Sequence, residues 1–239
     1  MAKKWVIPDI HGYSGTLQAL IEEQIKPSRN DTIYFLGDYI DRGPDSKGVI
    51  DYIIHLKEDD YNIRTLRGNH EDYLVRTFDN ETVHRNILGI SYRNKLRKEW
   101  FKYGGKETLD SFHVSDVHDV PAKYITWMRE LEYYIKLDSH ILVHAGFNFG
   151  LEDPFSDKPS MLWIKEFKVN PLKTGNRKVI HGHVPVSLDF IDSLRSGNHF
   201  DFIDLDNGIY IENKAGFGNL VALELISMEM KVQPNVDKT

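Results

Sequence analysis

Cysteine is absent from all 239 residues. Disulfides, thiolate metal sites and cysteine nucleophiles are therefore excluded together, and a reducing, cytoplasmic setting is expected. Any metal has to be held by nitrogen and oxygen. Long apolar runs are missing as well: no stretch approaches the ~18 residues of a membrane span, and the run ending in Trp5, Val6 and Ile7 is broken by Pro8 and Asp9 before a signal-peptide core can form. Neither a membrane partner nor secretion by that route is expected. An excess of positive charge is also lacking, since 36 acidic residues face 30 basic ones, for a net charge of −6. That is the wrong sign for a broad face gripping a phosphate backbone, so nucleic acid is not an expected partner.

What is present suffices for one large domain spanning 1–239, because 41% hydrophobic and 12% aromatic residues can fill a sizeable core. Trp5, Val6 and Ile7 form a short strand that exits into a polar loop, after which Leu17, Leu20 and Ile21 recur at helical spacing with Ser14 as the expected cap. The plan repeats twice. Thr32 to Leu36 runs into Gly37 and Asp38 ahead of a stripe of Val49, Ile50, Ile53 and Ile54, and Asn62 to Leu66 runs into Asn69 and His70 ahead of Tyr73, Leu74 and Phe78. Alternating strands and helices predict a largely parallel sheet whose ligands lie beyond the carboxyl ends of the strands. A stretch from about 73 to 134, rich in Arg, Lys, Trp and Tyr, reads as a helical insertion. Strand signals return at 140–143, 178–180, 202–205 and 220–225 and predict a second sheet, with a frayed tail from about Val232.

Five loops that follow apolar runs each carry carboxylate, amide or imidazole: Asp9 with His11, Asp38 with Asp41, Asn69 with His70, His144, and His181 with His183. Taken singly, each is an ordinary turn, cap or structural histidine. If the strand exits converge, however, so many anionic and lone-pair groups would repel one another without cations. The donor set suits manganese, iron or zinc and is too nitrogen-rich for calcium. Asp38 could bridge two such ions, an arrangement suited to in-line phosphoester hydrolysis by an activated water. Arg42 has the planar fork that matches phosphate, His70 can protonate a leaving alkoxide, and Asp41 can orient His70.

These residues resemble the signature blocks of the metallophosphoesterases, in order: Asp9-Ile10-His11-Gly12, Gly37-Asp38 with Asp41-Arg42-Gly43, Gly68-Asn69-His70-Glu71, His144-Ala145-Gly146 and His181-Gly182-His183. The second block narrows the resemblance to the phosphoprotein phosphatase branch. Trp100 through Gly104-Gly105 to Thr108-Leu109, Leu162-Trp163-Ile164, and Ile203 through Asp206-Asn207-Gly208 are similar to bacterial members, so the resemblance runs from about 4 to 226. It implies the calcineurin-like fold, a four-layer α/β (α+β) arrangement in which a central β-sandwich of two mixed sheets is flanked by helices. It implies two divalent ions, manganese first with iron or zinc as alternatives. Asp9 and His11 would bind one ion, Asp38 would bridge, and Asn69, His144 and His181 would bind the other, with His183 a supporting or structural residue. His70 would be the general acid supported by Asp41, and Arg42 the phosphate clamp, with Asn69, Arg67 and Lys165 as further phosphate contacts.

The activity implied is metal-dependent phosphomonoester hydrolysis, first as a serine/threonine protein phosphatase acting on phosphorylated protein. Two alternatives stand beside it: a hydrolase of dinucleoside polyphosphates or other small phosphoesters, and a metal-bearing binding module without catalysis, against which the intact His70, Asp41 and Arg42 speak. Pro8 stands where the family usually has Gly, which predicts a slight backbone change without loss of binding. Lys165 stands where bacterial relatives often have Arg, which turns a bidentate phosphate contact into a point charge. Tyr92, Arg93, Lys95, Arg97, Lys98 and Trp100 have two readings, a substrate groove or a solvated helix face.

Overall fold

Alternation within the short apolar runs decides which layer each strand side faces. The computed structural model describes residues 2–84, 95–197 and 200–237. Strands β1 (Lys4–Ile7), β2 (Thr32–Phe35) and β3 (Asn62–Thr65) run parallel, with Trp5 beside Ile33 and Ile33 beside Ile63. Each is followed by a helix: α1 (Ser14–Ala19, continued by a π-helical turn over Leu20–Ile25), α2 (Ser46–Glu58) and α3 (Asn69–His84). Helices α4 (Lys95–Lys102), α5 (Gly105–Ser111) and α6 (Ala122–Glu130) lie within the described part of the expected insertion. The chain then forms β4 (Tyr134–Lys136), β5 (His140–Val143), α7 (Lys158–Trp163), α8 (Pro171–Thr174), β6 (Lys178–His181), α9 (Leu188–Ser196), β7 (Phe202–Asp204), β8 (Asn219–Glu224) and β9 (Met230–Pro234).

Two mixed sheets result, ordered β3-β2-β1-β8-β9 and β4-β5-β6-β7. Between them lies a core of Val6, Tyr34, Leu36, Leu142, Ile180, Ile203 and Leu223, while the alternate residues Trp5, Ile7, Ile33 and Phe35 face outward onto helices. Ile141, Val143 and Val179 likewise face a third cluster with Phe147 and Met161. Each such side chain removed from water contributes about 1.5–3 kcal/mol. The helix-flanked sandwich brings the exits of β1, β2, β5 and β6 to one end. Among the described residues, no helix is long and apolar enough to cross a membrane.

Three local expectations are corrected. The strand expected at 220–225 belongs to the first sheet, where β8 pairs antiparallel with β1, because Val221 and Leu223 share the inter-sheet core with Val6. The first part of the expected frayed tail, residues 232–234, belongs to β9, which closes the edge of β8 with Val232 beside Val221; residues 238 and 239 lie outside the described residues. Ser14 is the first residue of α1 and does not cap it; its hydroxyl donates to Asp45 Oδ2 at 2.7 Å.

Candidate metal centre and active site

The loops after β1, β2, β5 and β6 and the start of α3 converge. Asp38 lies at the middle of the convergence: its Oδ2 is 3.7 Å from His11 Nε2, 3.8 Å from His70 Nε2 and 3.6 Å from His144 Nε2. His144 Nε2 is in turn 2.9 Å from Asn69 Oδ1 and 3.2 Å from His183 Nδ1. Asp38, His144 and His183 thus form one compact donor group, and His11, Asp38 and His70 form another. Ligands about 2.0–2.2 Å from an ion such as zinc stand roughly 3–3.5 Å apart, so the first group, with Asn69, has the spacing of a coordination shell. The residues present fit divalent cations.

Protein contacts fix the ring orientations. His11 Nδ1 donates to Ile40 O at 3.1 Å, leaving the Nε2 lone pair toward Asp38. Asp9 accepts the His183 N–H at 3.1 Å and lies 3.9 Å from His144 Nδ1. His11, Asp38, Asp41, Arg42 and His183 all adopt left-handed backbone conformations with φ between 50° and 75°. Each is strained for a side chain larger than glycine, and each re-aims a functional group out of its loop. Pro8 lacks an amide donor, but the Ile10 and His11 amides reach Asp38 O at 3.0 and 2.8 Å and tie the two loops without it.

Burial and mutual repulsion dominate the electrostatics. Burial, then the charges of Asp206 and Asp38, push the Asp9 carboxyl well above its usual range. Burial pushes Asp206 up to about 7, with Asp38 adding to it. Burial also works to raise Asp38, but the imidazoles of His144, His70 and His11 outweigh it and hold that carboxyl low. A cation between these groups would relieve the repulsion.

Beside the donor groups lies an acid–base pair. His70 Nδ1 stands 2.7 Å from Asp41 Oδ2, and Arg42 Nη2 is 3.5 Å from His70 Nε2. Burial disfavours the imidazolium of His70, yet Asp38 and Asp41 together raise its pKa. The Asp41 carboxylate is further held by Trp100 Nε1 at 2.9 Å and Thr108 Oγ1 at 2.5 Å. Trp100 is fully buried, so neither a groove nor a solvated face describes it. Of its companions, Arg97 donates to Ser115 O at 2.7 Å, Lys95 and Lys98 lie on α4, and Tyr92 and Arg93 fall outside the described residues.

Two expected residues stand differently. His181, expected among the ligands, is the last residue of β6; its ring packs against Phe167 and Phe202, with Nδ1 4.0 Å from Asp204 Oδ2. His183 takes its place at the donor group, because Gly182 turns the chain over Asp9, where a Cβ would meet Asp9 Oδ1 at 2.4 Å. Burial lowers the pKa of His183 to about 3 and that of His181 to about 4, so both rings are neutral. Arg67 is buried against Asp72 and Tyr133, at 3.4 and 3.3 Å. Lys165 is exposed, with its charge felt at His183.

Sequence reasoning missed several supports. Glu71, Thr108 and Trp100 had a signal, since all lie within the quoted motif blocks. Tyr210 had none: its ring underlies the Arg42 guanidinium at 3.9 Å and meets His11 edge-on at 5.3 Å.

A model of the calcineurin-like phosphoesterase family matches residues 2–214. The symmetrical bis(5'-nucleosyl)-tetraphosphatase of Buchnera aphidicola is 26% identical over 181 residues, covering 70% of this chain and 57% of that protein. The chain therefore spans little more than half the length of that relative. Serine/threonine-protein phosphatase 1 of Salmonella typhimurium is 24% identical over 226 residues, covering 93% of this chain and 91% of that protein. Among solved structures, a serine/threonine phosphatase from Saccharomyces cerevisiae superposes with a TM-score of 0.62 at 15% identity, covering 100% of this chain and 81% of that one.

Proposed function

The chain belongs to the calcineurin-like phosphoesterase family, and on that premise we propose that it is a hydrolytic, two-cation phosphomonoesterase acting on phosphorylated protein at serine or threonine. The observation that carries the reading is the convergence of Asp38, Asn69, His144 and His183 donor atoms beside the His70–Asp41 pair. Asp38, Asn69, His144 and His183 would hold one ion, and Asp9, His11 and Asp38 the other, with manganese preferred and iron or zinc as alternatives. The bound ions supply a water of lowered pKa and charge to offset that building on phosphorus. Arg42, stacked on Tyr210, binds phosphate oxygens with its fork. Arg67 and Lys165 are weaker contributors of positive charge. His70 delivers a proton from Nε2 to the leaving oxygen, and Asp41 keeps the Nδ1 proton in place.

The protein-phosphatase reading is supported by the near full-length match to the Salmonella enzyme. Dinucleoside polyphosphate hydrolysis is the second reading, supported by the match to the Buchnera enzyme. Metal-stripped protein refilled with manganese, zinc or iron is assayed on phosphoserine and phosphothreonine peptides and on diadenosine tetraphosphate. Manganese-dependent turnover of the peptides is expected. Cleavage of the nucleotide alone transfers the assignment to the second reading, and no metal-dependent turnover of any phosphoester overturns both.

A further inference from the structure

After β9 the chain turns back onto α1. The Asp237 carboxylate accepts the Gly15 N–H at 2.8 Å, the Thr16 N–H at 2.8 Å and the Thr16 hydroxyl at 2.6 Å, and the Val236 N–H donates to Thr16 Oγ1 at 3.0 Å. Helix α1 has no cap of its own, because Tyr13 provides no side-chain acceptor and the Ser14 hydroxyl is engaged with Asp45. The tail therefore supplies, from 221 residues away, the acceptor that the first turn lacks. Glycine at position 15 leaves room for it: a Cβ there would stand 2.9 Å from Asp237 Oδ1. Two residues earlier, Asn235 Nδ2 donates to Ile209 O at 3.4 Å, and the next residue, Tyr210, carries Arg42 and touches His11. One strap thus ties together two segments that border the centre, the loop of Asp9 and His11 running into α1 and the turn behind Arg42.

We infer that Asp237 is a positioning residue for the His11 side of the centre: its cap fixes the start of α1 and so the loop that delivers Asp9 and His11. The inference rests on the two-cation reading. Reciprocity then requires that filling the centre also tightens the strap, since two coupled events stabilise each other equally. Manganese is titrated calorimetrically into metal-stripped parent, Asp237→Ala and Asp237→Asn, with circular dichroism to confirm folding, and amide exchange is followed in the parent with and without manganese. Two ions should bind the parent. In Asp237→Ala one should bind about tenfold or more weakly while the other is little changed, with Asp237→Asn intermediate. Manganese should slow exchange of the Gly15 and Thr16 amides in the parent, a readout that holds even if Asp237→Ala does not fold. Two ions bound with unchanged affinity in a folded Asp237→Ala, or parent exchange indifferent to manganese, overturns the strap alone. A parent that binds no manganese overturns the two-cation reading and the strap with it.

Discussion

The buried Glu71 carboxylate accepts the N–H of Asp38, the carboxylate at the middle of the centre, at 3.0 Å. It also accepts the N–H groups of Tyr39 at 2.8 Å, Ile40 at 3.3 Å and Gly68 at 2.9 Å, so one side chain satisfies four donors of two loops. Asp38 is held at φ 52°, a conformation that persists only where the surroundings over-determine it. Glu71→Gln places an amide donor where acceptors are needed. Leaving buried N–H groups unpaired should cost about 1–3 kcal/mol, read by chemical denaturation of the metal-free protein. Manganese stoichiometry should fall as well. Unchanged stability together with full metal content would remove Glu71 from this role.

The His70–Asp41 pair predicts a dependence on the leaving group. Asp41→Asn can no longer stabilise an imidazolium and should lower kcat on an alkyl phosphate by about 10²-fold or more. p-Nitrophenyl phosphate, whose leaving group needs no proton, should be hydrolysed at nearly the parent rate. Trp100→Phe keeps the buried ring but removes the 2.9 Å donor to Asp41, and should show a smaller loss with the same leaving-group bias. Equal losses on both substrates would mean that Asp41 acts on the metal centre and not on proton transfer.

The two histidines at the exit of β6 separate by metal content. His183→Ala removes a donor 3.2 Å from His144 Nε2, and should lose one of two ions by elemental analysis. His181→Ala creates a void against Phe167 and Phe202, and should lower the melting temperature while retaining both ions. The reverse pattern would return the ligand role to His181.

This pair also shows what the sequence could and could not disclose. Asp9, Asp38, His144 and His183 all lie past the last residue of a strand, in loops free to re-aim a side chain, whereas His181 closes its strand and follows the sheet's alternation. A consistent rule of loop position favours His183; the motif alone left two imidazoles two residues apart. The parallel units and the convergence of loops were legible because strand, polar loop and helix follow one another locally. The placement of β8 in the first sheet was not, since an antiparallel partner more than 200 residues distant leaves no mark in a period-two pattern. Tyr210 was hidden for the same reason: its meaning lies in a guanidinium 168 positions earlier, 42 against 210, and nothing near it in the chain signals phosphate chemistry.

Acid stability should depend on Glu224, at the end of β8 where the two directions of the first sheet meet. Burial works to raise its pKa, but N–H donors from Lys4 at 3.0 Å, Ile226 at 3.0 Å and Ser227 at 2.6 Å, with the Ser227 hydroxyl at 2.7 Å, outweigh burial and hold it below the usual range. A carboxyl whose pKa is lower folded than unfolded contributes stability that is fully present above the unfolded value, about 4.3 for glutamate, and is lost as pH falls toward the folded one. Glu224→Gln should therefore be less stable than the parent at pH 7, by about 1.5–3 kcal/mol if the charged hydrogen bonds act as they usually do. The gap between the two proteins should narrow steadily below about pH 4.3. Paired urea melts from pH 7 to pH 3 read this directly. A gap that stays constant with pH would show that the loss is one of packing, and that the anion at the β1–β8 junction contributes nothing of its own.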